Sequence, residues 1–138
     1  VACFGEKDYQ QLAVIRRLVT DLDLRVDIVG VATKRDIDGL ALSSRNAYLD
    51  DDQRAMAVAL PEMLVMTGEA LQSGLDVPTA LQEATGHLLG SGFDSVDYVV
   101  LCDAQSLTPL TALDRPARLL AAARIGTTRL IDNIAVNP

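Results

Sequence analysis

The chain has 138 residues, 49% of them hydrophobic, with 12 basic against 19 acidic side chains and a formal net charge of −7. That length holds one domain or pieces of two, and no apolar run is long enough to span a membrane. The basic residues form no continuous patch, which argues against a polyanionic partner such as DNA or RNA.

The start, Val1-Ala2-Cys3-Phe4, is short and apolar, like the end of a buried strand whose beginning lies elsewhere. It has no basic n-region and is not a signal peptide; without an initiator Met it reads as a fragment or a processed chain of cytoplasmic location. Gly5 permits a tight turn there. Leu12, Ile15 and Val19 recur at helical spacing with Leu18 and Leu22 beside them, predicting a helix from about Asp8 to Leu22. Val26 to Val31 is a β-branched strand. Strand, turn, helix, strand is a βαβ unit with parallel strands and a right-handed crossover, and two strands alone leave both flanks of a sheet open.

Thr33 to Asp38 is polar and marks a domain boundary: 1–33 reads as the last βαβ portion of an incomplete parallel-sheet domain, 34–138 as a second domain. Asp38-Gly39 opens a loop through Asn46, since Gly accepts positive φ and Asp can accept from the backbone two residues on. Asp50 with Gln53 forms a capping box for a helix over about 51–72, with Ala55, Val58, Leu64, Val65 and Leu71 as core candidates and Pro61 kinking or dividing it. A further helix starts at Asp76 or Val77, presents Leu81, Ala84, Leu88 and Leu89 inward, and stops at Gly90-Ser91-Gly92. Its His87, the one histidine, reads as a helix residue rather than a general base.

Val96 to Cys102 alternates as a strand, with Tyr98 and Val100 on one face and Val99 and Leu101 on the other. Cys3 and Cys102 are too few and too distant for a disulfide scaffold or a CxxC site, and read as reduced, structural thiols. Ala117 to Ile125 has a helix-forming alanine run, but Gly126-Thr127-Thr128 and Leu130 to Val136 complete a hairpin, so most of it reads as strand. The expected class is α/β: the end of a Rossmann-like parallel-sheet domain, then a smaller α+β domain with helices on a mainly antiparallel sheet.

Two polar clusters carry the chemistry. Gly5-Glu6-Lys7-Asp8 lies at the carboxyl end of a strand and the start of a helix, where open α/β sheets bind ligands. Gly5 would let a ligand approach the backbone, and the helix amides with Lys7 favour an anion. Ser43-Ser44-Arg45 adds two hydroxyl donors and a planar, permanently charged fork, a set suited to phosphate oxygens.

In this order and spacing the segments Phe4 to Leu12, Ile28 to Val31, Asp38 to Asn46 and Thr128 to Asn133 resemble the pantothenate synthetase (pantoate–beta-alanine ligase) family across essentially the whole chain. The first and third are specific signatures; the fourth is supporting and reads as structural. The resemblance implies an ATP- and magnesium-dependent two-step ligation of pantoate and beta-alanine through a pantoyl adenylate, with Gly5, Glu6, Lys7, Asp8, Lys34, Leu42, Ser43, Ser44 and Arg45 on ATP. Among these it places Lys7 on the phosphates, Asp8 on ribose or metal, and Lys7, Ser43, Ser44 and Arg45 as the catalytic groups. It implies Gln11 on pantoate, a place for 1–33 in the nucleotide-binding domain, a lid role for 34–138, and a homodimer for the full-length enzyme. The family's HxGH-type motif lies upstream, so this carboxyl-terminal half is expected to be inactive alone. Two alternatives stay open: a non-catalytic lid or binding module, and another adenylyl-transferring enzyme of the same fold. The wording around Gln11 and Ser43 and the net charge of −7 weigh against the second of these.

Overall fold

A computed structural model describes residues 1–138. In order the elements are β1 (Ala2–Gly5), α1 (Tyr9–Asp21), β2 (Ile28–Val31), a 3-10 helix (Ser44–Tyr48), α2 (Asp51–Ala57), α3 (Ala59–Gln72), α4 (Val77–Gly90), β3 (Ser95–Asp103), β4 (Ala117–Ile125) and β5 (Thr128–Val136). The fold is α/β. β1 and β2 form a parallel pair joined through α1, and β3-β4-β5 form a separate antiparallel sheet.

The three-stranded sheet is the centre of the molecule because both of its faces are covered. On one face Leu101, Leu119, Ala121, Ala123, Ile125, Leu130 and Val136 join Leu60, Met63, Leu64, Leu71, Ala84 and Leu88 of α3 and α4 in a core cluster of 20 buried residues. On the other face Cys102 and Leu120 meet Tyr9 and Leu12 of α1, with Phe4, Ile28, Tyr98 and Val100 packed around them. β4 is the middle strand, and Leu119 to Ala123 is buried at every position. A strand covered twice reads as a continuous apolar run rather than an alternation. This is why its alanines are compatible with a helical reading.

The capping box at Asp50 and Gln53 is present. The predicted 51–72 helix is two helices, because the chain breaks at Val58 and places Pro61 in the first turn of α3, where no amide hydrogen bond is lost. That break re-phases the buried face. Leu64 and Leu71 are buried as expected, Val58 is partly so, but Ala55 and Val65 point to solvent, as does Leu89 on α4. An extra residue, Asp97, bulges from β3 opposite β4, so Val96 joins Val99 and Leu101 on the helix face. Asp97 then accepts from Arg124 and from Arg129. The β4–β5 turn has Gly126 at φ +55, the first position of a two-residue hairpin where positive φ is wanted. Leu18 and Leu22, beside the buried stripe of α1, are exposed, as are Val29 and Val31 of β2.

Candidate active site

The corner between β1 and α1 faces the polar end of the covered sheet. Asp8 caps α1, its carboxylate accepting from the Gln11 amide at 3.2 Å, and Gln11 itself stays exposed. Gly5 is not at positive φ, so the tight-turn reason for a glycine fails. The space where its Cβ would stand is open, with no atom within 4 Å. A ligand can therefore approach the backbone there, which was the other reason for a glycine.

Residues 34–42 fold back on themselves. Arg35 bridges Ala41, the Leu42 amide donates to the Lys34 carbonyl, and Gly39 takes φ +88. The Asp38 carboxylate accepts from the Leu40 amide at 3.1 Å, the local turn bond its sequence position suggests. Ser43 then caps the 3-10 helix: its Oγ accepts from the Arg45 amide at 3.2 Å, which leaves the hydroxyl proton free to donate. Ser44 and Arg45 are exposed, and the Arg45 guanidinium forms no ion pair, unlike Arg35 with Asp132 or Arg54 with Asp36 and Asp38.

The structure brings the two clusters together. The Lys7 ammonium donates to the Leu42 carbonyl at 3.3 Å, across 35 residues of sequence. Burial lowers the Lys7 pKa below the usual lysine value; Asp132 opposes that shift, and the charges of Arg45 and Arg35 reinforce it. Asp132 is shared with Arg35, and Arg45 has no carboxylate partner, so an added anion beside Lys7 and Arg45 would relieve the remaining repulsion. The largest groove, about 410 Å³, is lined by Arg35, Asp38 and Gly39 of the folded-back loop with Pro61, Val65 and Ile134, and smaller grooves lie on other faces. One of about 310 Å³ runs between α3 and α4, past Thr67, Glu83 and His87, on the far side of the sheet from Lys7. The buried Nε2 of His87 has no hydrogen-bond partner. Lys7, Ser43, Ser44 and Arg45 form an open face rather than an enclosed pocket.

Beneath that face lies a network of residues that the motif reading passed over as structural or did not single out. The Asn133 side chain donates to the carbonyls of Glu6 at 2.8 Å and Lys7 at 2.9 Å, and its Oδ1 accepts from Arg118 at 3.0 Å. Arg118 also donates to Glu6 Oε2 at 3.2 Å and lies 4.2 Å from the Tyr9 ring centre, while the Tyr9 hydroxyl donates to the Ala104 carbonyl. Next along the strand, Asp132 accepts two bonds from Arg35, at 2.6 and 2.9 Å. Successive strand residues point to opposite faces, so β5 grips the β1–α1 corner with Asn133 and the 34–42 loop with Asp132.

The sequence model of the Pantoate-beta-alanine ligase family matches residues 1–135. The chain belongs to that family.

Pantothenate synthetase of Rhizorhabdus wittichii is 59% identical over 138 residues, covering all of this chain and 49% of the relative. That of Sphingopyxis alaskensis is 57% identical over 136 residues. The chain thus spans about half the length of the curated relatives it matches. Among solved structures, pantothenate synthetase from Thermus thermophilus superposes with a TM-score of 0.91 at 43% identity, over 99% of this chain and 50% of that one. The pantoate–beta-alanine ligase of Francisella tularensis, solved with beta-gamma ATP and beta-alanine, matches with a TM-score of 0.68 at 31% identity over 96% of this chain and 42% of that one. Three are named pantothenate synthetase and the fourth pantoate–beta-alanine ligase, and nothing among them favours the binding-module or other-adenylyltransferase readings.

Of the residues that the family signatures single out, Glu6, Lys7, Leu42, Ser43, Ser44 and Arg45 lie around the two joined clusters. Asp8 and Gln11 stand on the first turn of α1, and Lys34 at the base of the folded-back loop.

Proposed function

We propose that, in a protein of the relatives' full length, this half holds the phosphates of ATP during ligation of pantoate to beta-alanine. Residues 1–33 contribute the last βαβ portion of the nucleotide-binding domain and 34–138 form the lid over it. The observation that supports this most directly is the bond from Lys7 to the Leu42 carbonyl. It sets a cationic corner beside the Ser43-Ser44-Arg45 loop.

The first step joins the pantoate carboxylate to the α-phosphorus of ATP and releases pyrophosphate; the amine of beta-alanine then attacks the acyl carbon and AMP leaves. In the first step the β- and γ-phosphates gain negative charge as the bridging P–O bond breaks. Lys7 and Arg45 meet that charge from two sides, and the free Ser43 proton and the Ser44 hydroxyl supply short donors. Gln11, exposed one turn beyond Lys7, can both donate and accept, which suits the hydroxyls and carboxylate of pantoate. The Lys34 carbonyl accepts from the Leu42 amide and keeps a second lone pair, so Lys34 would meet adenine through its backbone.

Magnesium fits this arrangement modestly. No group of three His, Cys, Asp or Glu side chains converges to hold an ion. Magnesium on a triphosphate, however, keeps phosphate and water ligands and needs a carboxylate or two from the protein. Asp8 is exposed with one carboxylate oxygen uncommitted, and is the residue here that could serve. When bound, the ion would neutralise phosphate charge. The remaining parts of the proposal are a cytoplasmic homodimer, associated through the nucleotide-binding domain, without nucleic-acid partners.

The test is made in the full-length ligase. Lys7→Ala and Arg45→Ala are each expected to slow pantoate-dependent ATP–pyrophosphate exchange by about 10² or more. Near-normal exchange in both would overturn the assignment.

A further inference from the structure

We propose that Asn133, held by Arg118, is a positioning residue for adenylation: it fixes where the Lys7 ammonium stands by clamping the backbone from which that side chain springs. The inference deepens the ATP-holding reading above and rests on it. Asn133 is 3% exposed although it lies on the edge strand β5, paired with Leu120 across the β4–β5 ladder. Its amide has two donor hydrogens, and both are spent on consecutive carbonyls, those of Glu6 and Lys7. An amide that only satisfied itself in a buried place would take any two acceptors. Two consecutive peptide carbonyls of the corner fix both the position and the tilt of that corner relative to the sheet.

The clamp is itself oriented. The Asn133 Oδ1 accepts from Arg118, so the amide cannot rotate end for end without turning its NH₂ group toward a guanidinium. Arg118 is fixed in turn by Glu6 Oε2 and by the Tyr9 ring, both part of the same corner. The loop is closed: corner to Asn133, Asn133 to Arg118, Arg118 back to corner. Meanwhile Asp132 holds the loop that carries Ser43 to Arg45 through Arg35. Two adjacent residues of β5 thus set the separation between the two clusters, and the lid sheet acts as a gauge for the phosphate site. A displacement of about 1 Å at a group that meets developing charge lowers a rate by as much as 10²-fold, without contact between the displacing residue and the substrate.

The experiment compares Asn133→Ala and Arg118→Gln with Lys7→Ala in the full-length ligase, measuring both half-reactions. Expected for Asn133→Ala is a fall in kcat for pantoate-dependent ATP–pyrophosphate exchange of about 10-fold or more. Transfer from supplied pantoyl adenylate to beta-alanine, in which no pyrophosphate leaves, is expected to stay within about twofold of normal. Because Asn133 acts through Lys7, the double variant Lys7→Ala/Asn133→Ala should be no slower in exchange than Lys7→Ala alone. Equal loss in both half-reactions, or additive loss in the double variant, would mean that Asn133 merely supports the fold and would overturn the proposal. Should Asn133→Ala not fold, Arg118→Gln is read by the same criteria, since it frees the amide while leaving Asn133 in place. If Lys7→Ala exchanges normally, the ATP-holding reading fails first. If Lys7→Ala is slow while both Asn133→Ala and Arg118→Gln are normal, the positioning role alone fails.

Discussion

Lys7 carries a conflict at the scale of one side chain. Burial and two nearby guanidinium groups disfavour its charge, and Asp132 only partly compensates. Its folded pKa is therefore below the lysine reference value of 10.5. A lysine so depressed weakens the folded state while it is protonated in both states. Stability is regained as pH rises through the folded value toward the unfolded one. Removing a neighbouring cation should move the titration the other way. Arg45→Ala is expected to raise the Lys7 midpoint and Asp132→Asn to lower it, both read from the pH dependence of the Lys7 side-chain resonances; no movement in either would show that the loop and the corner are not in electrostatic contact. Bound triphosphate should raise the midpoint more strongly than Arg45→Ala does.

Arg35 and Asp132 offer a second residue-scale test. The Asp132 side chain is 1% exposed, and its charge is balanced by a two-bonded guanidinium. Arg35→Ala would leave that carboxylate buried with its own backbone neighbour as the remaining donor. We expect a loss of about 3 kcal/mol in urea unfolding, the scale for breaking a buried pair from one side. A loss under about 1 kcal/mol would mean that water reaches Asp132 once the arginine is gone. At this scale the sequence was informative wherever a residue's chemistry was local. The Asp38-Gly39 turn and the Asp50–Gln53 box involve residues at most three apart, and both were legible. Asn133 and Arg118 were not, because their partners lie 127, 126 and 112 residues away and no local pattern records them.

At the scale of elements, the run Ala117 to Ile125 tests whether its local reading is right. Its alanines favour helix by intrinsic propensity, and tertiary context decides for strand. In a surface helix at least one of two adjacent alanines would tolerate a larger side chain. In a strand covered on both faces neither can. Ala121, at 1% exposure, faces α3 and α4, and Ala122, at 0%, faces the α1 side. Ala121→Leu and Ala122→Leu are each expected to destabilise by about 1–3 kcal/mol in urea unfolding, through overpacking on opposite sides. Tolerance at Ala122 alone would mean that α1 is loosely seated. The predicted 51–72 helix went wrong in a related way. The Pro61 break was legible in kind, but where it would fall was not, and a break at Val58 rather than at the proline shifts which side chains face inward.

At the scale of the whole molecule the two sides of the sheet are unequally supported. The α3–α4 side closes a cluster of 20 buried residues, while the α1 side closes one of 4. Val14, Leu18, Leu22, Leu24, Val29 and Val31 of the parallel unit all remain exposed. The sequence foreshadowed this imbalance, since a βαβ unit with two strands has open flanks whatever its side chains. What it did not reveal was that the weak unit leans on the three-stranded sheet through Tyr9, Leu12, Arg118 and Asn133. Opening free energy follows local burial, so the parallel unit should be the first part of this chain to exchange its amide hydrogens. Hydrogen exchange followed by mass spectrometry should find β1, α1 and β2 at least about tenfold less protected than α3, α4 and β4 in the 138-residue chain. In the full-length protein that gap should narrow if further chain covers the exposed apolar residues, and Asn133→Ala should widen it again at β1 and α1 alone. Uniform protection across both units of the 138-residue chain would show that the four-residue cluster and the Asn133 clamp suffice to make the molecule one cooperative body.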